Sequence, residues 1–218
     1  VLSIVVNDPG MSAVWAVLPG VEAAIKTGAV DEDKIGMQGH SWGGYQSSFL
    51  VTQTDIFKAT ITGAPLTNLI SMYGLNYWNS GNPDSGILES SQGRMKGHYI
   101  DEKEAFERNS PVYFADKVTQ PLMILHNDQD GAVDWTQGQE FWNILNRLGK
   151  EVVMLEYKGE NHGVRGTNNS RDYAIRMVEY FDHFLKDKKA PKWLSDGVSA
   201  LDLPDHMKTY SKKNNLGF

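Results

Sequence analysis

At 218 residues the chain is long enough for one substantial hydrophobic core, and its composition is that of an ordinary globular protein. A net charge of −6 argues against a nucleic-acid partner, and the absence of cysteine excludes disulfides and thiol catalysis while leaving the redox compartment open. No apolar run is long enough to span a bilayer (residues 1–6 are far too short), and neither an initiator Met nor a signal-peptide pattern is present, so the chain is expected to begin inside a longer protein.

Residues 12–27 place Val14, Val17, Leu18, Val21, Ala24 and Ile25 on one helical face, with Gly28 as a C′ residue. Pro19-Gly20 inside that run predicts a kink or a break. Asp31-Glu32-Asp33 reads as a turn into a strand over 34–39, and 45–54 reads as a helix. Residues 59–63 form a second buried strand closed by Pro65. The stretch 66–106, rich in Tyr, Asn, Ser and Gly, reads as an irregular excursion of the kind that carries ligand contacts, with Tyr77 and Trp78 as aromatics for the mouth of a site or a cover for the core. Alternation then resumes. A strand is predicted over 121–126, then a helix with the face Phe141, Ile144, Leu145 and Leu148 stopped by Gly149, then a strand over 151–157. Ser170 is the expected cap of a last helix with the face Ala174, Met177, Val178, Phe181, Phe184 and Leu185. Continuously apolar strands alternating with helices indicate an α/β fold, a mostly parallel sheet with helices on both faces. The domain expected is 1–187, followed by a polar tail over 188–218 that wraps the surface or is partly disordered.

The chemistry centres on Gly39-His40-Ser41-Trp42-Gly43, a G-x-S-x-G pattern between a strand and a helix. A serine in so sharp a turn needs neighbours without bulk, which Gly39 and Gly43 supply, and the N–H of Trp42 is placed to meet a developing oxyanion. A serine hydroxyl needs a base, and the base needs an orienting carboxylate. In open α/β sheets such residues sit on loops at the carboxyl ends of strands. His162 fits, since it directly follows the strand ending at Tyr157, whereas His40, His98, His183 and His206 read as solvated or packing residues. Asp128, Asp130 and Asp134 all follow the 121–126 strand, and the pattern does not choose among them.

Four blocks in order resemble the catalytic domain of the prolyl oligopeptidase family of serine peptidases, which includes dipeptidyl and acylaminoacyl peptidases. They are Gly39-His40-Ser41-Trp42-Gly43-Gly44-Tyr45, Asn109-Ser110-Pro111, the run from Pro121 to Val133, and Gly159-Glu160-Asn161-His162. The resemblance implies an α/β-hydrolase fold lacking its N-terminal strands, and a triad of Ser41, His162 and Asp130, with Asp128 in reserve. It implies a substrate pocket near Trp42, Leu66, Leu69, Met72, Tyr73 and Val133, although Leu66, Leu69 and Met72 stand where proline-preferring relatives carry aromatics and also read as plain packing. A substrate-binding Asn or Arg of relatives is replaced by Ala132. No metal or cofactor is implied. The partners implied are a peptide substrate and an N-terminal β-propeller of the same protein, with self-association into a homo-oligomer left open. Export to the periplasm or beyond is the implied location. The β-propeller and a second oxyanion donor, a tyrosine upstream of the elbow, have no counterpart here, and losing one such donor typically costs about 10²–10³ in rate. The function expected is hydrolysis of oligopeptides through an acyl-enzyme. The alternatives are a carboxylesterase of the same fold, or a catalytically inert fragment or binding module.

Overall fold

Pro9 suits the first turn of a helix because its missing N–H would be unpaired there anyway, and α1 runs Pro9–Lys26 with Gly28 in the left-handed region past its end. The computed structural model describes residues 5–199 and 201–217, so most of the apolar 1–6 run lies outside the described residues. The break expected at Pro19-Gly20 does not occur: the helix is continuous through Pro19. Pro19 and Trp15, the residue four earlier whose carbonyl loses its partner, both lie on the exposed side, where water can take the freed acceptor. Gly10 lets α1 approach the next helix closely, since a Cβ there would strike the Phe49 ring.

The elements that follow are β1 (Gly36–His40), α2 (Trp42–Leu50) and β2 (Ala59–Gly63). The excursion carries α3 (Leu69–Tyr73), a short hairpin of β3 (Asn76–Tyr77) and β4 (Asn82–Pro83), α4 (Ser85–Ser90) and α5 (Lys103–Arg108). Then come β5 (Leu122–Leu125), α6 (Thr136–Arg147) and β6 (Val152–Leu155), the strands shorter than the apolar runs suggest.

The sheet has the order β1-β2-β5-β6, and every pairing is parallel. The register aligns Met37, Thr60, Leu122 and Val152 in one row. Leu122 and Ile124 on that face meet Phe141 and Leu145 of α6, together with Val112, Ala115 and Val118. Consecutive side chains of β2 and β5 are all buried, as strands covered on both faces require. β1 has a strand partner on one side only among the described residues, and its exposed positions include Gln38 and His40. No helix of the described residues is long and apolar enough to cross a membrane.

The chain divides into two compact units, Val1–Gly163 and Val164–Phe218. The second unit contains α7 (Thr167–Lys186), α8 (Lys192–Ser195) and α9 (Leu203–Asn214), so the expected polar tail over 188–218 carries two helices. Ser170 does not cap α7; its hydroxyl donates to the Val164 carbonyl from inside the first turns. The fully buried stripe of α7 is Asp172, Arg176 and Tyr180, while Ala174 and Val178 of the expected apolar face are exposed. Pairing explains this, since Arg176 bonds Asp172 at 2.8 Å and lies over the Trp193 and Tyr210 rings at 5.1 and 4.2 Å. Glu179 accepts from both Trp193 Nε1 and the Tyr210 hydroxyl, fixing α8 and α9 to α7.

One buried group in the first unit works against stability. Asp84, just before α4, is fully buried, and neither carboxylate oxygen has a hydrogen-bond partner among the described residues. Burial, with Asp134 nearby, pushes its carboxyl up to about 6. Between the ordinary value of 3.8 and about 6 the folded chain keeps a proton that the unfolded chain releases, so stability falls as pH rises through this window. Asp84→Asn, which mimics the protonated acid, is expected to stabilise the fold by about 1–2 kcal/mol above pH 7, or several °C, with no gain at pH 4. Thermal melts of both proteins across that range check it; a gain of equal size at pH 4 contradicts the account.

Candidate active site

The site begins with the turn between β1 and α2, which consists of one residue. Ser41 sits at φ 60°, ψ −122°, backbone that L-residues rarely adopt and that costs about 1–3 kcal/mol. The conformation is held from both sides. Ser41 N–H donates to the Gly63 carbonyl of β2 at 2.8 Å, and the Ser41 carbonyl accepts from Tyr45 N–H at 2.8 Å. Gly39 is required, since a Cβ there would collide with the Gly43 carbonyl. Gly43 itself has open space where a Cβ would go, contrary to its expected role. Gly44 is the second required glycine, because a Cβ there would meet the Gly63 carbonyl. Trp42 is the first residue of α2, so its N–H has no acceptor within the helix.

His162 Nε2 lies 2.8 Å from Ser41 Oγ, and its Nδ1 lies 3.0 Å from each oxygen of Asp130. Asp130 Oδ1 also accepts from the N–H groups of Ala132 and Val133, each at 2.9 Å. Burial alone would raise the Asp130 carboxyl. Hydrogen bonds from His126, His162 and the Val133 N–H outweigh it and hold the group well below the usual carboxylate range. Of the other two aspartates, Asp128 accepts from Gly159 N–H at 2.7 Å, and Asp134 accepts from Trp78 Nε1 and Thr136. Both are loop-forming here, neither hydrogen-bonded to His162.

Sequence reasoning missed what joins the two loops. Asn161 Oδ1 accepts from Gly131 N–H at 3.0 Å and from His162 N–H at 2.6 Å, and its amide donates to Asn79 Oδ1 at 2.9 Å. Asn79 N–H in turn donates to the Gly131 carbonyl at 2.8 Å, and Asn127 donates to the Asn161 carbonyl at 2.7 Å. Three asparagines thus fix the spacing of Asp130 and His162; the one available signal was Asn161 beside His162. His40, read as a packing or solvated residue, stands with its ring centroid 4.9 Å from that of His162.

Leu66, Leu69, Met72 and Val133 come together in one apolar cluster with Tyr45, Leu88, Met95 and Phe106, and Trp42 and Tyr73 pack against its side. Leu66, Leu69 and Met72 are at most 1% exposed, so they act here as core. The Tyr73 hydroxyl donates to Glu89 at 2.5 Å, which with partial burial raises it to about 12.

A strained serine at a strand-to-helix turn, with a histidine and a buried aspartate in line behind it, on a parallel sheet with helices, defines a protein of the α/β-hydrolase class. A sequence profile of the prolyl oligopeptidase family matches residues 7–188, and the chain belongs to that family. It is similar to the uncharacterized peptidase YuxL of Bacillus subtilis, at 28% identity over 78% of this chain and 25% of that protein. Dipeptidyl peptidase family member 6 of Caenorhabditis elegans is 30% identical over 80% of this chain and 24% of its own length. Among solved structures, acylaminoacyl peptidase of Pyrococcus horikoshii superposes with a TM-score of 0.74 at 26% identity, over 85% of this chain and 30% of that one. The chain spans about a quarter of the length of the curated relatives it matches.

Proposed function

We propose that this chain carries the catalytic machinery of a serine peptidase acting on peptide bonds through an acyl-enzyme. The observation that carries the reading is the continuous line from Ser41 Oγ to His162 Nε2 at 2.8 Å and from His162 Nδ1 to Asp130 at 3.0 Å. Asp130, held as an anion, keeps the proton on Nδ1 and leaves the Nε2 lone pair facing the hydroxyl. Ser41 Oγ attacks the substrate carbonyl carbon as its proton passes to Nε2, and the oxyanion that forms is received by the Trp42 N–H. Collapse breaks the C–N bond, His162 gives its proton to the departing amine, and water releases the acyl group by the same steps in reverse. The family's named dipeptidyl and acylaminoacyl peptidases support amide rather than ester substrates. An N-terminal region of the same polypeptide, expected to be a β-propeller, is proposed to restrict access by size.

A fluorophosphonate probe is expected to label Ser41, and Ser41→Ala is expected to abolish labelling. Labelling that survives the substitution would remove the assignment. Peptide p-nitroanilides and a p-nitrophenyl ester run in parallel separate the peptidase from an esterase, which would turn over the ester alone.

A further inference from the structure

We propose that His126 is a positioning residue for Asp130: a neutral imidazole with its proton on Nε2, tethering the carboxylate and the Val133 carbonyl so that the acid loop keeps its aim at His162. This rests on the serine-peptidase reading for its consequence, not for its geometry.

His126 follows β5 directly and is fully buried. Its Nε2 lies 2.9 Å from the Val133 carbonyl and 3.4 Å from Asp130 Oδ2. Both neighbours are acceptors, and a carbonyl oxygen cannot donate, so the surroundings are satisfied only if Nε2 bears the hydrogen. Nδ1 has no hydrogen-bond partner among the described residues. Gly138 of α6 explains why: a Cβ there would strike Nδ1, so the bare glycine lets α6 lie directly on that edge of the ring. The tautomer is thereby set from both sides.

The placement matters because the two oxygens of Asp130 are served differently. Oδ1 receives the Ala132 and Val133 N–H groups, whereas Oδ2 receives His126 and shares His162. Removing the His126 donor leaves Oδ2 to His162 alone. Negative charge then builds on Oδ2, one of the two oxygens that His162 Nδ1 meets at 3.0 Å, which favours the protonated form of that base and moves the acid limb of reactivity to higher pH. It also frees the Val133 carbonyl, loosening the turn whose N–H groups hold Oδ1. The charged or titratable groups around His126 are Asp130, Asp134, His40 and His162, so no other charge has to be invoked.

The test uses the chain as it stands, and its first readout needs no variant. Long-range ¹H–¹⁵N spectra at neutral pH are expected to show His126 as the Nε2–H tautomer; an Nδ1–H tautomer or an imidazolium overturns the proposal. The second compares His126→Phe, which keeps a ring and loses the donor, with His126→Gln, whose amide reaches a similar position. For folded variants the rate of fluorophosphonate reaction at Ser41 is expected to fall about 10–100-fold in the Phe variant. Its acid limb is expected to move up by about half a pH unit or more, with both effects largely reversed in the Gln variant. A Phe variant with an unmoved limb, or a folded Gln variant as impaired as Phe, contradicts it. A wild-type chain with the Nε2–H tautomer but no labelling counts against the peptidase reading while leaving the positioning geometry in place.

Discussion

Asp130→Asn is expected to lower kcat by about 10⁴-fold while leaving KM within a few-fold of its starting value. The reason is tautomeric rather than steric. The carboxylate accepts from four directions: the N–H groups of Ala132 and Val133, His126, and His162 Nδ1. An asparagine fits the same space and keeps its carbonyl on the two backbone donors. Its NH₂ then faces His162 and donates to Nδ1, which drives the imidazole proton to Nε2 and leaves Ser41 without a base. The carboxylate is turned to the histidine and its own loop, so substrate binding is expected to change little. A loss of under tenfold, measured on a peptide p-nitroanilide with the fold intact, would show that the aspartate is dispensable and the proposed mechanism wrong.

The second large effect is structural and separates two adjacent glycines. Gly44→Ala is expected to destabilise by about 3 kcal/mol or more, because its methyl would be driven into the Gly63 carbonyl of a central strand. That carbonyl also receives the Ser41 N–H at 2.8 Å, so displacing it disturbs the turn that holds the nucleophile. Gly43→Ala meets open space and gains the better helix former, so its stability is expected to stay within about 1 kcal/mol of the parent. Denaturant titrations of the two variants check the contrast. Equal losses would mean that the turn, and not the approach of α2 to β2, is what demands glycine.

What the sequence made legible was local. The apolar runs before Ser41 and His162 mark strand ends, and the G-x-S-x-G spacing marks the turn, because both depend on residues a few positions apart. Asp130 is singled out only by the family resemblance, since three aspartates in one loop are equivalent until the hydrogen bonds of the loop are known. The roles of Gly44, Asn79, Asn161 and His126 are not legible in the sequence because their partners lie across the fold: Gly44 answers to Gly63, Asn79 to Asn161, and His126 to a glycine on the following helix. Helix α7 was misread for another reason. Apolar periodicity presumes that charge stays outside, and the Arg176–Asp172 pair, stacked on Trp193 and Tyr210, turns that presumption over. Pro19 misled because the usual helix-breaking rule assumes that the freed carbonyl cannot reach solvent.

The strand that delivers Ser41 is, like β6, an edge strand paired along a single side among the described residues. Its amides are more open to exchange and fraying than those of β2 and β5, which are locked between neighbours. Loosening at this margin would disarm the serine while the interior stays intact. Reactivity would then be lost before foldedness, and a well-folded sample would be no guarantee of a competent one.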